Sequence, residues 1–217
     1  MGVRSGAQDV EAKNVPVISS KMPEGAVALL VKPGDLASNW VRRRSAEAPG
    51  WHVDADGAAI PTNEAKHDIT SRQEFGDCFL HAEFQCPVGK GGNSGVSFQG
   101  RYEVQVYGNF GQPANKTNCA ALYNQTPARV NASRPQGEWQ SFDIVFRAPR
   151  FDAEGRVTEP ARATVFHNGV LVHNNAPFKG PTGIQYDEFK GEAKTGPVIL
   201  QGDHDFVKFR NVWILPM

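Results

Sequence analysis

Twenty-two glycines and 15 prolines are scattered through the 217 residues, and they leave little room for a long helix. Proline inside a helix removes a hydrogen bond and glycine adds entropic cost, so helices are confined to the gaps between them. No gap carries the i, i+3, i+4, i+7 apolar spacing of an amphipathic helix. The gaps hold instead short runs in which apolar and polar residues alternate, the period of a half-buried strand. Such runs fall at 26–31, 51–54, 59–61, 77–86, 94–99, 102–106, 139–147, 162–167, 170–174, 198–201 and 207–215, with a weaker one at 36–41. Many short strands between turn residues are expected to form an all-β antiparallel sandwich rather than an α/β domain. Asn168-Gly169 separates two alternating runs and predicts a type I′ hairpin, because both turn positions need positive φ.

A chain of this length can bury a large core without disulfides, so one domain is expected over 21–217, preceded by a flexible tail at 1–20. Residues 1–15 lack the apolar core of a secretory signal. The most apolar run, 25–31, is far short of the roughly 20 residues that span a membrane, and no span is expected. Lys+Arg and Asp+Glu both number 23, which gives no reason to expect a nucleic-acid partner. The single basic run, Arg42-Arg43-Arg44, reads as a solvated edge. Cys78 and Cys86 sit at the two ends of one predicted strand, about 26 Å apart at ~3.3 Å per residue, too far to pair. At most one of them could pair with Cys119, and the spacing is not that of a zinc site.

The segment 93–107 carries the most chemistry. Its second strand alternates strictly, with Arg101, Glu103 and Gln105 on one face and Tyr102, Val104 and Val106 on the other. A cation, a carboxylate and an amide in consecutive rows could bind a polyhydroxylated ligand, which needs paired donors and acceptors; a solvated face with an Arg–Glu pair is the alternative. His81, Glu83 and Gln85 form a second polar face opposite Leu80, Ala82 and Phe84. A third strand sets Ser141, Asp143 and Arg147 opposite Phe142, Ile144 and Phe146. Trp139 and Trp213 are read at core parity, as packing residues; Tyr107 and Tyr123 are free to stack on a sugar ring. Two segments, 108–120 and 176–197, are long enough without a clear period to be candidate binding loops.

Seven blocks in order carry a family resemblance. They are Asn-Ser-Gly-Val-x-Phe-Gln-Gly-Arg-Tyr-Glu-Val-Gln-Val (93–106), Cys-Ala-Ala-Leu-Tyr (119–123), the run from Gly-Glu-Trp-Gln to Arg-Phe-Asp (137–152) and Pro-Ala-Arg-Ala-Thr-Val-Phe-His-Asn-Gly-Val-Leu-Val (160–172). Gly-Pro-Thr-Gly (180–183), Leu-Gln-Gly-Asp-His (200–204) and Val-x-Phe-Arg-Asn-Val-Trp-Ile (207–214) complete the series. Over about 25–217 the chain resembles the 3-keto-disaccharide hydrolases, or 3-keto-glycoside 1,2-lyase-like domains. The resemblance implies a concanavalin A-like jelly roll with a sugar site on the concave sheet. It further implies an exported bacterial protein, periplasmic or on the cell surface, acting on an oxidised (3-keto) sugar. Some members of such a family could be non-catalytic carbohydrate-binding modules, which remains the alternative.

A ketone at C3 makes the C2 proton acidic, so cleavage of the C1–O bond needs a base near C2, donors for the enolate oxygen and an acid for the leaving group. Glu103 is the first choice for the catalytic carboxylate, with Arg101 and Gln105 as positioning donors. His204 can act as base or acid near neutral pH. Asp203, Gln201, Asn93 and Tyr123 are candidate sugar-binding groups. Glu83 and His81 could complete the site, Glu83 as a second catalytic carboxylate and His81 as a binding group. If the strands of Glu83 and Glu103 were neighbours, the two carboxylates could instead support direct hydrolysis. His167 and His173 read as structural. Nothing in the sequence requires a cofactor; a divalent cation is the open alternative, since Glu83, Glu103, Asp203, His81 and His204 are of types that bind one, though their spacing carries no metal signature.

Overall fold

The computed structural model describes residues 21–89, 91–183 and 188–217; the expected tail at 1–20 and part of the 176–197 loop lie outside the described residues. Two antiparallel sheets pack face to face as a jelly-roll sandwich. The larger runs β13 (Val170–Pro177), β12 (Arg162–His167), β9 (Trp139–Arg147), β6 (Cys78–Gln85), β15 (Lys208–Pro216), β4 (Ala59–Ile60) and β3 (His52–Val53), with β1 (Val27–Leu30) also pairing with β15. The smaller runs β2 (Trp40–Arg42), β5 (Ile69–Phe75), β14 (Gly196–Leu200), β7 (Ser94–Phe98) and β8 (Tyr102–Val106). A two-stranded ribbon, β10 (Arg150–Phe151) with β11 (Val157–Glu159), lies outside both sheets, and a short helix, α1 (Asp35–Asn39), packs beside β1 and β2 with Leu36 in the core.

Aromatic rings join the sheets. Phe98 of β7 stacks on Phe146 of β9 with centroids 4.6 Å apart and planes at 8°. Tyr102 of β8 meets the same Phe146 at 5.5 Å and Phe178 at 5.2 Å. Each such pair adds about 0.5–1.5 kcal/mol beyond the area it buries. Leu80, Ala82 and Phe84 of β6 and Val104 and Val106 of β8 complete the layer, so these strands turn their odd-numbered residues away from the core. Asn168 and Gly169 have φ of 50° and 79°, as the type I′ hairpin between β12 and β13 requires. All three cysteines are free and buried.

Three expectations need correction. The run at 36–41 is mostly α1: the Asp35 carboxylate accepts the N–H groups of Val31 and Lys32 and turns the chain into a helix before β2 begins at Trp40. Strand β5 was not anticipated, because Ser-Arg-Gln-Glu at its centre breaks the apolar alternation. Trp139 and Trp213 lie on the outer face of the larger sheet rather than between the sheets, although Trp213, 2% exposed, is a packing residue there as expected. The parity of β9 puts Trp139 with Ser141 and Asp143, and the Arg210 guanidinium lies 3.8 Å from its ring centroid. Trp213 changes face through a bulge: five residues of β15, from Phe209 to Trp213, span four of β6, from Phe84 to His81, and Asn211 takes φ of 46°. The indole then stacks on His81 at 5.2 Å.

Candidate active site on the five-stranded sheet

The outward face of the smaller sheet is laid out by its register. Glu103 of β8 lies opposite Ser97 of β7, which lies opposite Ile199 of β14. One row along, Gln105 lies opposite Gly95, whose carbonyl accepts the N–H of Gln201. A glycine thus sits between two glutamines in the floor, and the Glu103 side chain crosses above it: a β-carbon at position 95 would stand 2.3 Å from Glu103 Oε1. Glycine within a strand often marks a place where another group comes close to the backbone, and here that group is a carboxylate.

Asn93, Glu103, Gln105, Tyr123, Gln201, Asp203 and His204 line an open cleft of about 160 Å³ over this floor. The hydrogen-bond network orients the Gln105 amide: its NH2 faces Glu103 Oε1 (3.0 Å) and the Ser94 carbonyl (3.1 Å), and its oxygen meets the Asn93 amide at 3.0 Å. Glu103 is 1% exposed and Gln201 4%. The Gln201 side-chain amide has no hydrogen-bond partner among the described residues, which leaves it to face a ligand.

β8 is an edge strand, and loops cover its outer edge. Thr182 Oγ1 accepts the Glu103 N–H (3.0 Å), and the Glu103 carbonyl accepts the N–H of Tyr123 (3.0 Å). Gln105 likewise exchanges backbone bonds with Ala120 and Ala121. These contacts block strand addition at the edge and bring Tyr123 to the wall of the cleft.

Asp203 and His204 come from the loop after β14. His204 Nε2 lies 3.6 Å from Asp203 Oδ1, both side chains about half exposed. The loop is pinned at both ends: Asp68 Oδ1 accepts the Gly202 N–H (3.0 Å), and Asp205 Oδ2 accepts the Asn93 N–H (2.8 Å). Burial and then the Asp203 carboxylate push Asp68 above the usual carboxylate range, against the Gly202 N–H and the Arg43 guanidinium. Arg43 bonds Asp68 at 2.7 Å and forks onto Glu188. Burial alone would raise the Glu188 carboxyl, but the bond to Arg43 prevails and holds it down at about 2. The basic run is therefore not simply a solvated edge: its middle residue ties the Gly202 loop to the segment that begins at Glu188.

Of the residues singled out from the sequence, seven meet in the cleft and three do not. Arg101 shares the face of Glu103, but its guanidinium is spent on the carbonyls of Gly191 (2.7 Å) and Gln99 (2.6 Å) beside the Phe189 ring. Glu83 and His81 lie on β6, which pairs with β9 and β15 in the other sheet, and they face outward there. The expected Glu83–Glu103 pair does not form, and neither does the five-residue set suggested for a cation. Among the described residues no three His, Cys, Asp or Glu side chains are grouped to hold a metal. Glu83 bonds Arg210 (2.7 Å) and Asn211 (2.9 Å), and His81 Nδ1 bonds Asp143 (2.7 Å). Sequence reasoning missed Gly95 and Asp68. The glycine breaking the alternation of 94–98 was a readable signal for the first; Asp68 had none, since its role depends on contacts with residues 25 and 134 positions away.

Comparison with known proteins agrees with this placement in carbohydrate chemistry. A protein from Parabacteroides distasonis ATCC 8503, named a putative glycosyl hydrolase, is 32% identical, with a TM-score of 0.78 over 90% of this chain and 85% of its own. A second protein of that name from the same organism is 15% identical and shares the fold, with a TM-score of 0.65 over 91% of this chain and 99% of its own. A mutant of alginate lyase Aly36B, in complex with alginate trisaccharide, shares the fold at 10% identity, with a TM-score of 0.51 over 89% and 93%. No curated protein matches the chain. Residues 28–215 match the 3-keto-alpha-glucoside-1,2-lyase-like domain, nearly the whole described length. The protein is a glycoside hydrolase- or lyase-like carbohydrate-active domain, and it belongs to the family of 3-keto-alpha-glucoside-1,2-lyase-like domains.

Proposed function

We propose that the protein cleaves the C1–O bond of a 3-keto-glycoside, with Glu103 as the base that removes the C2 proton. The observation that carries this reading is a buried carboxylate opening onto a cleft whose other floor groups are neutral amides. Glu103 takes the proton from C2, and the C–H electron pair forms an enolate with the C3 carbonyl. Return of that pair re-forms the C3 carbonyl, makes a C1–C2 double bond and expels the C1 oxygen, which takes a proton as it leaves. Addition of water to the unsaturated ketone makes the net reaction hydrolysis. The amides of Gln201 and Asn93 supply neutral donors for the enolate oxygen and the sugar hydroxyls, while Gln105 spends its NH2 on Glu103 and the Ser94 carbonyl. His204, at the rim, is placed to protonate the leaving group.

Incubation with 3-keto-trehalose and with trehalose tests the proposal. Release of reducing sugar from the keto substrate alone is expected. Turnover of both points to direct hydrolysis, for which Asp203 is the second carboxylate in the cleft. Binding without turnover of either makes the domain a carbohydrate-binding module. Glu103→Gln should abolish turnover with the fold retained; near-normal activity removes Glu103 from the role of base.

A further inference from the structure

The cleft does not end at Gln105. Asn93, Gln105 and Tyr123 are a shared wall, and beyond them lies a second, open chamber of about 230 Å³ bounded by Tyr107, Thr117 and Asn118. The cleavage chemistry uses none of these last three residues. Asn118, only 6% exposed, donates Nδ2–H to the Pro113 carbonyl (2.9 Å), and its Oδ1 has no hydrogen-bond partner among the described residues. The Tyr107 hydroxyl likewise has none among them. With no protein partner among the described residues, both oxygens are available to a hydroxylated ligand in the chamber. The six lining residues include no charged side chain. They offer amides, one aliphatic hydroxyl and two phenol rings, a set suited to a neutral polyol with a weakly apolar ring face.

We propose that this second chamber seats the departing half of the substrate, and that Asn118 and Tyr107 make the protein favour a neutral hydroxylated ring as leaving group. The inference rests on the reading above, in which the Glu103 chamber holds the ring whose bond breaks. The shared wall then lies at the junction between the two halves, and the identity of the leaving group is read by residues remote from the base.

The test compares 3-keto-trehalose with methyl 3-keto-α-glucoside, whose leaving group is too small to fill the second chamber. Asn118→Ala and Tyr107→Phe should each lower kcat/KM on the disaccharide about five- to tenfold, mainly through KM, the size expected for one lost neutral hydrogen bond. The methyl glycoside should change less than about twofold by the same argument. Equal losses on both substrates, or on neither, overturn the proposal. Tyr107→Phe deletes only a hydroxyl, so its fold is secure even where Asn118→Ala loosens the 113–118 turn. Calorimetric titration with trehalose needs no cleavage. Weaker binding by both variants than by the wild type supports the chamber even if neither keto sugar is cleaved, a result that would sink the proposed reaction alone. Absent or unchanged trehalose binding overturns the chamber itself.

Discussion

Glu103 rests its carboxylate on the bare backbone of Gly95, so close that a β-carbon there would stand 2.3 Å from Oε1 and 3.0 Å from Cγ. The clashing atoms belong to a flexible side chain rather than to backbone. Gly95→Ala should therefore fold, with a stability loss of about 1–2 kcal/mol or less, while Glu103 is pushed off its position. A displacement near 1 Å at a reacting group can cost about 100-fold in rate. Melting temperature and turnover of a 3-keto-glycoside, measured on the same preparation, check the split; activity within threefold of wild type would show that the glutamate need not lie over residue 95.

His81 is expected to make stability pH-dependent far from the cleft. Burial alone would lower its pKa, but the bond to Asp143 and the Glu83 carboxylate 3.8 Å away prevail and raise it to about 9. Glu83 is lowered to about 2, first by the nearby His81 ring and against burial, with the Asn211 and Arg210 bonds assisting. The histidine's contribution is complete below about 6.5, its unfolded value, and is lost as pH rises through 9. The glutamate's contribution is complete above about 4.5 and is lost as pH falls toward 2. Unfolding free energy should decline by about 2–3 kcal/mol between pH 6.5 and 9.5, and Asp143→Asn should flatten that decline. Denaturant titrations at a series of pH values provide the measurement.

Arg43 stands between two carboxylates, and its removal should be costly for a specific reason. Arg43→Ala leaves Asp68 buried without its cation, at a cost of about 3 kcal/mol. Asp68→Asn in the same chain should restore about half of this, since the buried charge is then gone. Because Asp68 also holds Gly202, the single variant should raise KM more than it lowers melting temperature would suggest. Urea titrations of the two single variants and the double variant give the stability cycle; additivity would show that the pair is not coupled.

The cysteines should be unreactive in the folded protein. Burial pushes the Cys119 thiol up to about 12, and its neighbour His167, at 3.9 Å, is pushed down to about 3, first by burial and then by Arg134. A neutral imidazole beside a neutral thiol is not an activated nucleophile. A chromogenic disulfide reagent should label none of the three thiols at neutral pH within an hour, and all three after unfolding. Rapid native labelling of Cys119 would contradict its burial.

The strands and the residues of the cleft were legible to different depths. Glu103, Gln105 and Asn93 could be found because they lie close together in one alternating segment. Gln201, Asp203 and His204 came from a separate block, and only the β14–β7 register brings them beside it. Alternation names the two faces of a strand but not the sheet to which the strand belongs. Glu83 and Glu103 looked equivalent for that reason, yet β6 and β8 lie in opposite layers. The face of Trp213 was misread for a different cause: parity counting presumes an unbroken ladder, and the extra residue at Asn211 reverses it.

The covered edge of β8 has a consequence for descent. Glu103, Gly95 and Gln105 sit on strands whose alternate residues are core, so they cannot move without disturbing the packing of both sheets. Tyr123 and Asn118 belong to a loop that meets the floor through backbone bonds, which are indifferent to side-chain identity. Lineages can therefore exchange wall residues and explore new sugars while inheriting the carboxylate in place. Sequence divergence should accumulate around the rim of the cleft and be slow along its floor.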